Sequence, residues 1–213
     1  MGFFVERGVL VILLLWGITT NNSFAAGDKS GYKVGDRLPK EIPTSTTNNA
    51  SYRPLNWDEL MPADWDPMKP VKGLDFNKLQ DSDPRAVEAL EKVKESWNDA
   101  PIEPKLNGQR VEIPGFVVPL DTDPSKVKEF LLVPYFGACI HVPPPPSNQV
   151  IHVLTSKPLT KDQLRMLRNA LLMQGAVSVS GVIETLPSNT SMGFASYRMN
   201  AEIIERYKAP ESK

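Results

Sequence analysis

The stretch RVEIPGFVVPL, residues 110–120, decides the fold that this sequence predicts. Apolar and polar residues alternate along it as they do in a β-strand, and Pro114-Gly115 interrupts the alternation near the middle. Proline cannot donate a hydrogen bond to a strand ladder, and a glycine inside a strand marks a bulge or a tight bend. The stretch therefore predicts a long strand with a sharp bend at its centre.

The segments downstream of this strand set the order of the elements. Further strands are predicted at 126–133, 149–155, 176–186 and 194–207. A helix lies between the third and fourth strands; it begins at the capping box Thr160–Gln163 and is ended by Gly175. Three strands, a helix and two strands are the plan of an OB-like five-stranded barrel. Gly115 and Gly181 both lie in mid-strand, which favours this barrel over its alternative, an open α+β sheet with the helix on one face.

Upstream of this barrel domain, residues 106–208, the sequence predicts an amphipathic helical segment at 69–105 and a loosely ordered arm at 26–68. The helix begins at Asp83-Pro84, an N-cap followed by proline at the first helical position. Its predicted buried stripe consists of Val87, Leu90, Val93 and Trp97. The apolar residues of the arm that are expected to dock on the barrel domain are Leu55, Trp57, Leu60 and Met61.

Residues 1–25 have the features of a cleavable signal peptide. The apolar run at 9–18 is shorter than the about 20 residues that span a bilayer, and Ser23 and Ala25 suit the −3 and −1 positions of a cleavage site. An uncleaved N-terminal anchor is the alternative. Because no second long apolar run follows, we expect a periplasmic protein without stable membrane insertion.

Charge and cysteine content exclude two further classes. A formal net charge of −1 argues against a nucleic-acid partner, which normally requires a basic surface. A single cysteine, Cys139, cannot form a disulfide within the chain. In an oxidising compartment a lone thiol is exposed to mispairing unless it is buried, metal-bound or functional.

The residues suited to chemistry are concentrated at 139–152. Cys139 is the only cysteine, and His141 and His152 are the only two histidines. Thiolate and imidazole groups are good ligands for zinc, and for copper if a soft axial ligand joins them. The sequence therefore predicts a metal site of Cys139, His141 and His152, with zinc the first choice of ion and copper the second.

Other side chains near this site have expected supporting roles. Asn148 and Gln149 are expected to orient the loop that carries the ligands. Asp121 and Asp123, in a neighbouring turn, are further candidates for an open coordination position.

Two alternatives to the metal site stay open. In the first, Cys139 fills space and His152 is a hydrogen-bonded core residue, so the set is structural. In the second, Cys139 is the nucleophile of a thiol-dependent enzyme, with His141 or His152 as the base and Asn148 as the orienting amide. An enzyme is less favoured than a binding protein, because a thiolate without a resolving cysteine risks irreversible oxidation.

The run FGACIHVPPPPSNQ at 136–149, together with 111–120, resembles a family of exported bacterial proteins known only as a domain of unknown function. The Trp57–Leu60 stretch and the strand at 177–183 resemble the same family, so the resemblance spans roughly residues 52–207. It implies a periplasmic accessory to inner-membrane ABC transporter components, in some cases within zinc-responsive gene clusters. It implies no established activity and no catalytic residues.

Residues and resemblance together predict a periplasmic accessory or binding protein that binds a transition metal and serves an ABC-type transport or metal-homeostasis system. The alternatives are a thiol-dependent enzyme and a metal-free protein-interaction module.

Overall fold

The computed structural model describes residues 31–39, 51–73, 83–120, 127–139, 144–155, 159–172 and 175–208. Its helices are α1 (Pro84–Asn98) and α2 (Lys161–Leu172). Its strands are β1 (Arg53–Pro54), β2 (Arg110–Pro119), β3 (Glu129–Val133), β4 (Ile151–Thr155), β5 (Val177–Glu184), β6 (Ser188–Thr190), β7 (Gly193–Ala195) and β8 (Tyr197–Arg206). Short 3-10 turns lie at Trp57–Leu60, Lys69–Val71, Pro104–Leu106 and Ser147–Gln149. Across these ranges no helix is long and apolar enough to cross a membrane.

Five of the strands form a closed, mixed barrel. Antiparallel pairs join β2 to β3, β3 to β4, β8 to β5 and β5 to β2, whereas β4 and β8 run parallel. The order β2-β3-β4-β8-β5 therefore returns to β2, and α2 lies in the connection between β4 and β5. The predicted OB-like barrel, with its helix between the third and fourth barrel strands, is confirmed. The open-sheet alternative is wrong because β5 closes onto β2.

The two mid-strand glycines allow neighbouring strands to approach closely. A β-carbon at Gly181 would press against the carbonyl oxygen of Asn200 on β8, at the point where the pairing of β5 shifts register. A β-carbon at Gly115 would lie 2.8 Å from the Leu132 side chain and 3.0 Å from the Trp57 ring. The contact with Asn200 at Gly181 and the contact with Leu132 at Gly115 are shorter than real β-carbons accept, so both positions require glycine.

Alternate residues of the barrel strands face two separate apolar clusters. The inner cluster fills the barrel; it includes Phe130 and Leu132 of β3 and is extended by Leu167 of α2. The outer cluster includes Leu131 and Val133 of the same strand, and partly buried side chains from residues 31–39 and from the segment after β3 pack against it. Each fully buried side chain of this size contributes about 1.5–3 kcal/mol of hydrophobic free energy.

The arm docks on the barrel as predicted. Leu55 and Leu60 are fully buried in the inner cluster, and Trp57 packs against it while its indole nitrogen donates to the carbonyl oxygen of Pro114 at 2.7 Å. Met61 is half-buried. The chain here forms the 3-10 turn Trp57–Leu60, with Asn56 as its N-cap.

The predicted buried stripe of α1 is partly wrong. Val87 and Leu90 are 50% and 52% exposed, whereas Ala89 and Val93 are buried and Trp97 packs beside them. The helix packs mainly on the short 3-10 turn at Lys69–Val71, with a smaller contact to the turn at Ser147–Gln149, and both are narrow partners. A small residue, Ala89, allows close approach to that turn, so the larger apolar residues on the flanks stay in contact with solvent.

Candidate functional site

Cys139 lies in the segment after β3 with an uncommon backbone conformation. Its φ of +64° is in the left-handed region, and Gly137, two residues earlier, is also left-handed with a φ of +83°. The side chain is partly buried against the outer cluster. This burial raises the pKa of the Cys139 thiol from 9.0 to about 11. At neutral pH the thiol is therefore protonated, which is the form that neither attacks carbon nor binds a metal.

The predicted partners of Cys139 are only partly visible. His141, Asp121 and Asp123 lie outside the described residues. Within the ranges that the structure describes, no three His, Cys, Asp or Glu side chains come close enough together to hold a metal ion. Cys139 therefore does not join His152 and its neighbour Glu129 in a common group of three. The predicted site of Cys139, His141 and His152 stays a prediction.

His152 is engaged through both ring nitrogens. It lies on β4, 8% exposed; its Nδ1 is 3.0 Å from the Ser188 hydroxyl, and its Nε2 is 3.0 Å from Oε2 of Glu129. A carboxylate can only accept, so Nε2 carries the proton and donates it to Glu129. Nδ1 is then the acceptor, and the Ser188 hydroxyl donates to it. To bind a metal, His152 would have to release one of these partners.

Glu129 and Ser188 are site residues that the sequence analysis missed. Glu129 lies at the start of β3, diagonal to His152 across the antiparallel pair in which Leu131 faces His152. Strand register could have placed Glu129 there, because diagonal neighbours on one face lie within reach of long side chains. Ser188 belongs to a short hairpin of β6 and β7, and nothing in the local sequence pattern signals its position.

The polar group around His152 extends onto the next strands. Arg198 of β8 pairs in register with His152, and Glu184 of β5 pairs in register with Arg198. The Nε atom of Arg198 is buried and finds no hydrogen-bond partner in the described part of the chain. A row of charged and polar side chains thus crosses β3, β4, β8 and β5 on the outside of the barrel.

Asn148 and Gln149 lie in the fully buried turn that ends the proline run. The Asn148 amide nitrogen donates to the carbonyl oxygen of Pro101 at 2.8 Å, and the Gln149 amide nitrogen donates to that of Trp57 at 2.8 Å. Both amides therefore tie the end of the loop to upstream segments of the chain. Their predicted role in orienting metal ligands stays a prediction.

Residues 31–39, from the predicted arm, lie over the segment that carries Cys139. Gly35 donates its backbone N–H to the carbonyl oxygen of Phe136, and Phe136 donates to that of Asp36, both at 2.9 Å. The Arg37 guanidinium lies 5.3 Å from the centre of the Tyr135 ring. The segment before Cys139 is therefore held between the barrel and the arm.

Comparisons with known proteins identify solved structures that are similar to this chain. The chain is similar to a DUF3299 family protein from Pseudomonas aeruginosa PAO1, with 32% identity over 75% of this chain and 98% of that chain, and a TM-score of 0.54. Over 51% of its length it is similar to 22% of asparaginyl-tRNA synthetase from Pyrococcus horikoshii, with 14% identity and a TM-score of 0.30. Over 50% of its length it is similar to 89% of an OBody bound to hen egg-white lysozyme, with 16% identity and a TM-score of 0.31. These last two likenesses do not bear on function.

The chain matches no curated protein. The family described as "Protein of unknown function (DUF3299)" matches residues 57–206, which span the 3-10 turn at Trp57–Leu60, α1 and the whole barrel. The chain therefore belongs to the DUF3299 family.

Proposed function

We propose that this protein is an exported binding protein that serves as an accessory to a transport system, and that the segment around Cys139 is its binding element. The observation that counts most against the alternative of thiol catalysis is the state of the thiol. Burial raises the pKa of Cys139 to about 11, whereas a catalytic thiol needs a lowered pKa or an adjacent base. Metal binding needs the same thiolate, so a bound metal ion would have to displace the thiol proton.

The backbone of Cys139 gives a second reason. The left-handed conformation costs a residue with a β-carbon about 1–2 kcal/mol of free energy, and Cys139 adopts it. Such conformations persist where the surrounding structure holds the backbone in place. Strained positions of this kind cluster at binding and active sites. The strain at Cys139 supports a function for its side chain beyond filling space.

The finer proposal is that the bound species is a transition metal, with zinc first and copper second. Its support is the donor chemistry, since Cys139 and His141 are separated by one residue and together offer a thiolate and an imidazole. Binding would remove the thiol proton, so metal affinity would rise with pH. His152 could join as a third ligand by releasing Ser188 while Glu129 keeps the other ring nitrogen, as carboxylates do for metal-bound histidines.

Inner-membrane ABC transporter components are the proposed partners, and the periplasm is the proposed location. The support is the signal-like sequence at 1–25 and the family resemblance. A metal-free interaction module is the second candidate. It is favoured by the hydrogen bonds of Asn148 and Gln149, which are made to the carbonyl groups of Pro101 and Trp57 and need no metal.

The test is the metal content of protein purified from the periplasm. We expect near-stoichiometric zinc in the wild type, loss of zinc in Cys139→Ser and in His141→Ala, and retention in Ser178→Ala, a half-buried control position on β5. Alkylation of the wild-type thiol should be slow until a chelator is added. If protein purified from zinc-replete cells contains no metal in the wild type or in any variant, the metal proposal is contradicted. The interaction module is then the better supported function.

A further inference from the structure

We propose that Ser188 is an activated nucleophile and that His152 and Glu129 form, with it, an acyl-transfer site on the outside of the barrel. This site shares no residue with the pair Cys139 and His141, and His152 is the one residue that the metal proposal also uses. The Ser188 hydroxyl lies 3.0 Å from Nδ1 of His152, and Nε2 of His152 lies 3.0 Å from the Glu129 carboxylate. A serine, a base and a carboxylate that orients the base are thus joined in one chain of hydrogen bonds.

The direction of the protons follows from the groups themselves. Glu129 as a carboxylate offers only lone pairs, so it holds the ring proton on Nε2 and leaves Nδ1 of His152 free to accept. The Ser188 hydroxyl therefore donates to Nδ1. This is the protonation state in which a histidine can take the proton of a serine as the oxygen attacks.

Three separate elements hold these side chains. Glu129 begins β3, His152 lies within β4, and Ser188 begins the β6–β7 hairpin, where it pairs with Ala195. The hairpin is tied at its tip by the Thr190 hydroxyl, which donates to the carbonyl oxygen of Gly193 at 2.8 Å. A nucleophile on a hairpin and a base on a barrel strand keep their separation without relying on a long loop.

The position in the barrel is one at which OB folds bind ligands. These folds use the face of their second and third strands, between the loop joining strands 1 and 2 and the loop joining strands 4 and 5. In this chain the second and third barrel strands are β3 and β4, which carry Glu129 and His152. Ser188 belongs to the connection between β5 and β8, which is the loop joining strands 4 and 5.

Arg198 points to the class of substrate. It pairs in register with His152, and its Nε is buried and finds no acceptor within the described residues. Arg198 is thus placed on the strand next to the base, and a guanidinium that reached the acyl oxygen would stabilise the negative charge that develops there when the acyl carbon is attacked. We assign carboxylic esters as the substrate class, because their alcohol is a better leaving group than the amine of an amide.

The proposed reaction balances without a cofactor. The Ser188 oxygen attacks the acyl carbon while its proton passes to Nδ1 of His152, and the alcohol leaves with that proton. Water then attacks the acyl-serine, gives one proton to Nδ1, and releases the carboxylic acid as the proton returns to Ser188. Glu129 keeps the Nε2 proton throughout, and the net change is ester plus water to acid plus alcohol.

The test is covalent labelling of the full chain with a fluorophosphonate probe, followed by peptide mass spectrometry. We expect one label, on Ser188, and none there in Ser188→Ala. His152→Gln should slow labelling by at least about 100-fold, since a general base contributes that much. Ser178→Ala is the matched control and should keep the wild-type rate, and hydrolysis of p-nitrophenyl acetate should follow the same order.

Two results would overturn the proposal: labelling of the wild type no faster than that of Ser188→Ala, or equal rates in the wild type and His152→Gln. Thermal unfolding by circular dichroism checks that each variant is folded. If His152→Gln does not fold, Glu129→Gln takes its place, because Glu129 is half exposed. Labelling is measured after treatment with a chelator, so that no metal competes for His152; Cys139→Ser should then label normally, and this proposal and the proposed metal function are tested separately.

Discussion

The side-chain amide of Gln149 donates to the main-chain carbonyl oxygen of Trp57 at 2.8 Å, across 92 residues of sequence. This bond joins the turn that ends the proline run to the docked arm. Gln149→Ala leaves the Trp57 carbonyl group without its donor, and we expect a loss of about 1–3 kcal/mol in the free energy of unfolding. Urea unfolding of the wild type and Gln149→Ala measures this loss of stability. Asn189→Ala, at an exposed position of the β6–β7 hairpin, is the control and should change stability little. Equal midpoints for Gln149→Ala and the wild type would show that the bond contributes nothing.

Gly181 tests the closure of the barrel. In Gly181→Ala the new methyl group meets the Asn200 carbonyl oxygen, which belongs to the backbone of β8 and cannot swing away. We expect at least about 3 kcal/mol of destabilisation, at or beyond the upper end for overpacking, or no soluble protein. Gly175→Ala is the control, since its nearest atom is at an ordinary 3.5 Å. If both variants melt together, the predicted clash at β8 does not exist.

The left-handed backbone of Cys139 predicts an unusual order of stability between two variants. Cys139→Gly and Cys139→Ala both remove the sulfur atom, but only glycine adopts a φ of +64° without strain. The strain relieved, about 1–2 kcal/mol, exceeds the entropic penalty of glycine, about 0.5–1 kcal/mol. Cys139→Gly should therefore be the more stable of the two in thermal unfolding. At a position without strain an alanine variant is more stable than a glycine variant. If Cys139→Ala proved more stable than Cys139→Gly, the strained conformation would be contradicted.

Burial of the Cys139 thiol predicts a loss of stability at high pH. The folded-state pKa is raised from 9.0 to about 11, so between these values the folded chain keeps a proton that the unfolded chain has released. This contribution is complete below pH 9 and is lost as the pH rises toward 11. Burial also raises the pKa of Tyr197, to about 12, and therefore acts in the same direction. Tyr197 is present in both the wild type and Cys139→Ala, so its effect drops out when their urea midpoints are subtracted. The remaining difference in midpoint should shrink from pH 7.5 to pH 10.5. A constant difference would mean that the thiol is not buried.

The barrel could be predicted because its signals are local. Alternation, a capping box and two mid-strand glycines each reflect a constraint that acts within a few residues, and their order matches one known plan. The break between β7 and β8 could not be predicted, because the apolar alternation continues through Ser196. There the chain stops pairing with the neighbouring β6 and begins to pair with β4 and β5, and β4 is distant in sequence.

The site could be predicted only where one segment carries it. The rarity of histidine in this chain points to His152, but its partners Glu129 and Ser188 lie 23 and 36 residues away and are common residue types. Asn148 and Gln149 belong to a recognisable motif, yet their hydrogen bonds go to main-chain carbonyl groups, which no sequence pattern distinguishes. The helical spacing of Val87 and Leu90 predicts a buried face, although the partner surface is too narrow to cover them.

The place of β8 in the barrel has a consequence for how the chain folds. This strand lies between β4 and β5, so the sheet keeps an open gap until β8 inserts after all the other barrel strands have been made. Its pairing with β4 joins residues far apart in sequence, which slows folding because the connecting chain must be closed first. A chain that cannot complete its barrel early therefore stays unfolded for longer during synthesis.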